Sequence, residues 1–420
     1  MTAEQQLPEG WEYVPFNMFF NVVSISDKKI SQKEYLDNGK YPVIDQGNLF
    51  IGGYSNDESL ILKISSPVIV FGDHTKCFKY VSFPFVAGAD GIKVLEPQNG
   101  IYPKYAYYYC LSIDLTDRGY SRHFAFLKKC QFLIVPIETQ QAIVNKIESL
   151  FDEIDEGIGR LKTAAQQIQQ YRQSLLKNAF NGELTKEWRS KHADTLPSEN
   201  ELLAQIQTTR EQHHAQQLAD WQNVTIGEVV TISPKKETAI DDNTDVSFSS
   251  MHLMSSSISE HLTYEIKKWA DVKKGFTIFR NNDVLLAKIT PCFENGKSAV
   301  AQDLINGIGT GSTEFMVLRC SNQLLPKFLY FLINTPDFRQ AGIHNMTGSV
   351  GHKRVPKDFV SSWTFSLPSL TEQTQIVAIL ESKLTACDQL AAELAKQLKQ
   401  AELLKQVVLK AAFSGSLLDK

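Results

Sequence analysis

The sequence predicts a mixed α/β fold: two α/β globules separated by two long antiparallel helices that form a coiled coil, arranged as a pseudo-two-fold internal repeat. Three observations carry this expectation. Residues 140–184 and 373–417 align at a single offset of 233 without a gap, and 15 of 45 aligned positions are identical. The identities include Ile143/Ile376, Glu148/Glu381, Asp155/Asp388, Leu161/Leu394, Phe180/Phe413 and Gly182/Gly415. Each copy also carries apolar residues every seven positions. Finally, the segments ahead of the two copies share landmarks in the same order. A repeat of this length sets the architecture before any local pattern is read.

In the first copy the seven-residue seam is Ile147, Ile154, Leu161, Ile168 and Leu175, with Ile143, Leu150, Ala164 and Tyr171 filling a second seam. In the second copy the main seam is Leu380, Cys387, Leu394, Ala401 and Val408. Its companion is read as Ile376, Leu390 and Leu404, broken by Lys383 and Gln397. A strict heptad describes a narrow stripe that needs a partner helix. Two equivalent surfaces that bury one another do so about a two-fold axis, so the helices should run antiparallel. Thr139 and Thr371 are the expected N-caps, just after Pro136 and Pro368, and Gly182 and Gly415 stand where each helix should stop. About 40 helical residues make a rod of about 60 Å. The competing arrangement packs each helix on its own globule.

Residues 1–136 read as the first globule. Short β-rich runs such as Tyr41-Pro-Val-Ile44, Pro67-Val-Ile-Val-Phe71 and Phe132-Leu-Ile-Val135 alternate with turn residues, and an amphipathic helix runs from Pro103 to Leu111. Residues 137–184 are the first helical region. Residues 185–220 are polar and read as a helical connector. Residues 221–367 form the second globule and 368–420 the second helical region. Trp221-Gln-Asn-Val-Thr-Ile226 echoes Trp11-Glu-Tyr-Val-Pro-Phe16, Asp283-Val-Leu-Leu-Ala287 echoes Pro67-Val-Ile-Val-Phe71, and Leu325-Pro-Lys-Phe-Leu-Tyr330 echoes Tyr102-Pro-Lys-Tyr-Ala-Tyr107. The helices are alike and the globules have diverged, as a recognition device requires.

At 420 residues, 43% hydrophobic and 21% charged, the composition is that of a soluble globular protein of two or three domains. The formal net charge of −4 announces no nucleic-acid binder, so any contact with DNA must come from local basic surface. Six scattered cysteines without a CxxC argue for a reducing cytoplasm and against a zinc site. The polar N-terminus begins no signal peptide, and no apolar run is long enough to span a membrane.

Catalytic signatures are missing. Glu294-Asn-Gly-Lys-Ser298 resembles the tail of a phosphate-binding loop, but Pro291 occupies the required first glycine. There is no HExxH, no GxSxG and no Asn/Asp-Pro-Pro-Tyr segment. His213 and His214 read as solvated. Basic residues instead interleave with aromatics and glycines near the end of each globule. The first run contains Arg118, Tyr120, Arg122, His123 and Lys128; the second contains Thr347, Ser349, His352, Lys353 and Arg354. Lysine and arginine neutralise phosphates, while Asn, Gln and Arg pair with base edges. Gln46, Asn48, His74, Lys76, Lys235, Lys236, Lys288, Asn295 and Lys297 complete the candidate DNA-binding set. A solvated loop is the competing reading for each; matching positions in both halves favour the set.

Together these features resemble the specificity (S) subunits of type I restriction–modification systems, the HsdS family. The resemblance covers nearly the whole chain. Its strongest parts are Pro368-Ser-Leu-Thr-Glu-Gln-Thr-Gln-Ile-Val377 and Leu404-Lys-Gln-Val-Val-Leu-Lys-Ala-Ala-Phe-Ser-Gly-Ser-Leu417, with their first-half counterparts. The first helix departs slightly, opening Glu138-Thr-Gln-Gln where the second has Glu372-Gln373. The resemblance implies two target recognition domains, each reading half of a bipartite, asymmetric double-stranded DNA sequence. It implies helices that act as a ruler and dock two modification subunits, which bring S-adenosylmethionine and methylate adenine; restriction subunits can join them. On this reading the chain is not itself an enzyme and holds neither cofactor nor metal. The alternatives are a non-catalytic helical scaffold carrying two protein-binding domains, and an enzyme in its own right.

Overall fold

Both heptad segments are single helices, Ile137–Phe180 and Leu370–Phe413, whose ends differ by the same offset of 233. The structure, a computed structural model, describes residues 10–88, 91–115, 122–192, 221–235, 240–256, 261–349 and 351–417. The helices begin at Ile137 and Leu370, two residues and one residue before the expected caps. Thr139 lies inside the first helix and Thr371 inside the second, where Ser369 accepts the Glu372 N–H through its hydroxyl. Gly182 and Gly415 follow the helix ends with φ of +78° and +84°, a left-handed turn that glycine adopts without strain.

The chain packs as two units, one of Met1–Lys162 with Lys396–Lys420, the other of Thr163–Ala395. In the first, β1 (Glu12–Pro15) pairs antiparallel with β11 (Gln131–Ile134). An antiparallel sheet runs β2 (Phe20–Val23), β10 (Ile92–Pro97), β7 (Val68–Gly72), β8 (Phe78–Val81). A second sheet runs β3 (Lys29–Ile30), β9 (Phe85–Gly88), β4 (Tyr41–Ile44), β5 (Gly53–Ser55), with β6 (Ile61–Leu62) also on β9; β3 and β4 flank β9 in parallel. Helix α1 (Pro103–Ser112) covers the β7–β8–β10 face and carries Tyr105 and Tyr109 into the core.

The second unit repeats this topology. Here β12 (Gln222–Thr225) pairs with β21 (Thr364–Leu367), and the antiparallel sheet is β13 (Val230–Ile232), β20 (Phe315–Cys320), β17 (Val284–Ala287), β18 (Ser298–Val300). The mixed sheet is β15 (Glu265–Lys268), β14 (Asp245–Ser249), β19 (Ile308–Gly311), β16 (Thr277–Arg280), with β14 and β19 parallel. Strands β4 to β10 thus correspond one by one to β14 to β20, and β3 has no counterpart. Two short helices, α2 (Lys186–His192) after the first long helix and α3 (Pro326–Leu332), the partner of α1, are followed by α4 (Pro336–His344). Of the expected connector, residues 193–220, including His213 and His214, lie outside the described residues.

Each unit places the start of one long helix against the end of the other, which is antiparallel pairing. In the first, Ile143, Val144 and Ile147 share a core with Val408, Leu409, Ala412 and Phe413, and with Phe19, Tyr105 and Phe132 of the globule. In the second, Ile376, Val377, Leu380, Leu384 and Cys387 meet Leu175, Leu176, Ala179 and Phe328. The two arrangements weighed from sequence therefore coexist: the helices pair, and their ends also enter globule cores. Each fully buried Leu, Ile or Phe contributes about 1.5–3 kcal/mol.

The main seams face inward: Ile147, Leu175, Leu380 and Val408 are buried, and Ile154, Leu161, Ile168 and Leu394 are half-buried. In the companion seam of the second helix Ile376 is buried as expected, but its later members were misassigned. Leu390 is 56% and Leu404 47% exposed, whereas Leu384, Ala391, Leu398, Ala401 and Lys405 turn inward. On the first helix Tyr171 is likewise exposed, and its neighbour Arg172 takes the inward position.

A buried glutamine ties each globule to its helix. Gln140 accepts the Tyr102 N–H (2.7 Å) and donates to Gly100 O and Val135 O. Gln373 accepts the Leu325 N–H (2.8 Å) and donates to Gln323 O and Pro368 O. The repeat therefore extends to individual hydrogen bonds. The difference at the start of the two helices has a visible cause. Where the first helix has Thr139, the second has Glu372, buried and accepting from Thr185 Oγ1 (2.6 Å), Arg189 (2.6 Å) and Trp221 Nε1 (2.9 Å).

Candidate nucleic-acid interface

The parallel strands β4 and β9 end, and β10 begins, at one corner of the first unit, beside the turn after β7. Backbone bonds define the corner: Asp73 N–H to Gly91 O (2.6 Å), His123 N–H to Asp73 O (2.9 Å) and Gly72 N–H to Cys77 O (2.9 Å). The second unit builds it from equivalent bonds: Lys288 N–H to Glu314 O (3.0 Å), Val355 N–H to Lys288 O (2.9 Å) and Ala287 N–H to Lys297 O (3.1 Å). Loops at strand ends are free to vary while the sheet keeps their position.

This corner collects most of the residues singled out from sequence. In the first unit the backbone N–H of His74 donates to Gln46 Oε1 (3.3 Å), Thr75 Oγ1 donates to Gln46 O (2.6 Å), and Cys77 Sγ donates to Asn48 Oδ1 (3.4 Å). Lys76 sits in the same turn with φ +59°. Gly91 has φ +92°, a backbone conformation that glycine takes without strain, and a Cβ there would lie 2.8 Å from Gln46 Oε1 and 3.0 Å from the His74 ring. Arg122 is exposed, and exposed Lys128 lies 4.9 Å from the Phe124 ring centroid. Arg118 and Tyr120 lie outside the described residues.

His123 is corrected. It is 1% exposed, with Nδ1 3.0 Å from Asp73 O, and it fills the slot that Val355 fills in the second unit, so it packs the corner from inside and offers DNA nothing. Sequence alone could not separate it from its exposed neighbour Arg122.

In the second unit Thr347 pairs with Arg354, Ile289 pairs with Arg354, and Thr290 N–H donates to Lys353 O (3.0 Å), which draws residues 288–290 and 347–354 together. Asn295, Ser349, His352 and Lys353 are exposed. Lys297 is half-buried and committed to Met251 O (2.8 Å), and Lys288 donates to Thr313 O (3.0 Å). Arg354 is held in a fork by Glu314, with Nε 3.0 Å and Nη2 2.7 Å from its oxygens. That hydrogen bond, helped by the arginine's charge, holds the Glu314 carboxyl below the usual carboxylate range. Lys235 is exposed and follows β13, which ends beside the amino end of β20; Lys236 lies outside the described residues.

Sequence reading missed the groups that brace the corner. Lys79, 6% exposed, donates to Leu49 O (2.5 Å) and pairs with Asp45 (3.4 Å), holding the 45–50 loop. Asp73, also buried, accepts the Phe124 N–H (2.7 Å). The only sequence signal for Lys79 was a charged residue on a strand whose neighbours are aromatic, and Asp73 stands in the turn just after β7. Among the described residues no group of three or more His, Cys, Asp or Glu is placed to hold a metal, and no helix is long and apolar enough to cross a membrane.

Topology and site together define a duplicated α/β protein on paired long helices, with one loop corner held by equivalent backbone bonds and carrying different turns and side chains in each repeat. The model of the type I restriction modification DNA specificity domain matches residues 8–162 and 219–400. The chain belongs to that family. It is similar to the type I restriction enzyme EcoAI specificity subunit of Escherichia coli, 42% identical over 171 residues that cover 40% of this chain and 29% of that subunit. It is also similar to the StySPI specificity subunit of Salmonella potsdam, 21% identical over 455 residues, 98% of this chain and 90% of that one. The chain thus spans less than a third of the length of the EcoAI relative. Among solved structures, a chain from a study of complex assembly and conformational transition of the type I R-M system superimposes with a TM-score of 0.66 at 16% identity, covering 98% of this chain and 99% of that one. The HsdS subunit of Thermoanaerobacter tengcongensis gives 0.50, also at 16% identity, with 99% of each chain covered. At such identities the likeness is one of fold.

Proposed function

We propose that this chain is the DNA-specificity subunit of a type I restriction–modification complex, each globule reading one half of a bipartite, asymmetric target. The observation that carries this is the corner built twice on the same backbone bonds with unlike side chains: Gln46, Asn48, His74 and Arg122 in one, Asn295, Ser349, His352 and Lys353 in the other. Two readers with one frame and two vocabularies suit a target whose halves differ. Base edges discriminate through such side chains, and cations hold the phosphates.

The long helices act as the ruler for the unread spacer, and two modification subunits dock on them. Leu403, Leu404 and Val407 in the first unit, and Leu390 and Tyr171 in the second, are large apolar side chains left exposed on helical faces. Such faces favour partner proteins. S-adenosylmethionine and the methylation of adenine belong to those partners, as DNA cleavage does where restriction subunits join, and the complex works in the cytoplasm. The absence of methyltransferase and hydrolase motifs from the sequence supports a non-catalytic role.

Mapping methylated adenines in a host carrying this chain and its modification partner tests the reading. A split motif is expected, and exchanging residues 1–136 for another reader should change one half only. The donor must keep aromatic anchors like Tyr105 and Tyr109, which hold Phe413 at ring distances of 5.4 and 4.9 Å. Inserting four residues near Ala165 adds about 6 Å of helix and should lengthen the tolerated spacer by a base pair or so. Unchanged spacers would sink the ruler, and a motif without two halves would sink the function.

A further inference from the structure

The turn between β17 and β18, residues 288–297, is twice as long as its counterpart 73–77 between β7 and β8. A long turn needs support, and this one rests on a buried cation. Arg339 of α4 is 8% exposed. It donates to Phe293 O (3.2 Å), Gly296 O (3.1 Å), Ser298 Oγ (3.1 Å) and Asn334 Oδ1 (2.8 Å), and its guanidinium lies 4.8 Å from the Phe293 ring centroid. One helical turn on, Gly342 lets Phe293 press against the helix, since a Cβ there would lie 2.3 Å from the ring. Every acceptor is neutral. Burying a charge without a counter-charge is costly, and desolvation pushes the Arg339 pKa down to about 10. At neutral pH the side chain is still a cation, held by the carbonyls of the turn it supports.

We propose that Arg339 is a positioning residue for DNA recognition: it sets the backbone of the 291–298 turn and so fixes exposed Asn295 for reading the half-site assigned to residues 221–367. Arginine suits the task because its planar fork satisfies several carbonyls at once, which a lysine ammonium on a flexible stem does not. The inference rests on the function proposed above and adds a residue that touches no DNA itself.

The test uses the complex of the full chain with its modification subunits, bound to its target duplex and to duplexes changed one base pair at a time. Arg339→Lys keeps the charge and loses the fork. Discrimination should fall about tenfold at base pairs in the half-site read by residues 221–367, the size of one mismatch, with the other half-site read as before. Asn295→Ala, on an exposed side chain, should lower discrimination at the same base pairs. The double variant should be no worse there than Arg339→Lys alone, because the two act through one contact. Should Arg339→Lys fail to fold, Ser298→Ala removes one of the four acceptors of Arg339, together with the hydroxyl's own bonds to Gly296 O and Asn334, and should give about a threefold loss at the same positions. Unchanged discrimination, equal weakening of both half-sites or full additivity with Asn295→Ala would each overturn the inference. A wild-type complex with no sequence preference would instead remove the proposed function on which it rests.

Discussion

Arg172 of the first long helix is paired with Asp388 of the second, and the offset of 233 converts this pair into Lys405 with Asp155, 2.6 Å apart. One ion pair has thus been kept twice, once in each unit, with arginine in one copy and lysine in the other. The two should differ in worth. Arg172 and Asp388 are 15% and 27% exposed, Lys405 and Asp155 29% and 58%. Water screens the second pair, so Lys405→Met, which keeps the inward stem beside Phe151 and removes the charge, should cost under about 0.5 kcal/mol. Arg172→Ala leaves a carboxylate less hydrated and should cost about 1–2 kcal/mol. Urea denaturation of the two variants, judged by their midpoints at equal slope, checks the order. A larger loss for Lys405→Met would contradict it.

Glu372 makes the two halves unequal. It gathers Thr185, Arg189 and Trp221 onto the start of the second helix, and Arg189 also donates to Gly182 O (2.6 Å). Glu372→Gln keeps the shape and removes the charge facing Arg189, which is 16% exposed. Breaking a buried pair from one side costs about 3–5 kcal/mol, and some solvent access at Arg189 places the expected loss near the lower figure. Hydrogen exchange should report faster opening of Lys186–His192. The reverse change on the first helix, Thr139→Glu, has no Arg189 to meet and should not stabilise the chain.

Glu314 occupies Arg354, so the corner of the second unit carries a cation already neutralised. Glu314→Gln should free it for a phosphate, raising affinity for random duplex and steepening its salt dependence by about one counterion. Acid should act the same way. The Glu314 carboxyl lies below its ordinary value of 4.5 because Arg354 donates to it. A depressed carboxyl contributes stability that is fully present above the unfolded value and is lost as pH falls through the folded one. Stability of the wild type should therefore decline below pH 4.5 more steeply than that of Glu314→Gln. Parallel acid titrations of the two proteins, followed by tryptophan fluorescence, would refute this if the curves superimposed.

The fold was legible because the repeat and the heptads are properties of spacing, which a sequence displays directly. The corner was legible only as a list of polar loops. Lys288, Thr347 and Arg354 meet through backbone bonds that no local pattern announces. His123 and Arg122 are adjacent and differ in exposure because one follows Asp73 into the core. Arg339 gave no signal, since an arginine on a helix ordinarily faces water; its burial depends on a turn more than forty residues earlier in the chain.

The misread seam of the second helix yields the sharpest check on packing. From Leu380 and Leu394 a companion seam can lie three positions later or four, and both alternatives contain leucines. Reading Ile376, Leu390 and Leu404 required accepting Lys383 and Gln397 as interruptions. The seam through Leu384, Ala391 and Leu398 is broken only by Lys405, whose stem runs inward while its ammonium reaches Asp155. Leu384 is 2% exposed within the core that holds Ile376 and Phe328, whereas Leu390 is mostly solvated. Leu384→Ala should therefore cost about 2–5 kcal/mol, the range for a truncated core leucine. Leu390→Ala should stay within about 0.5 kcal/mol in the chain alone. If Leu390 belongs to a docking face, its truncation should instead weaken association with the modification subunit, a loss visible by titration calorimetry and absent from the unfolding curve. Leu384→Ala should show the opposite pattern, and equal unfolding losses for the two leucines would mean that the helix is rotated from the position described.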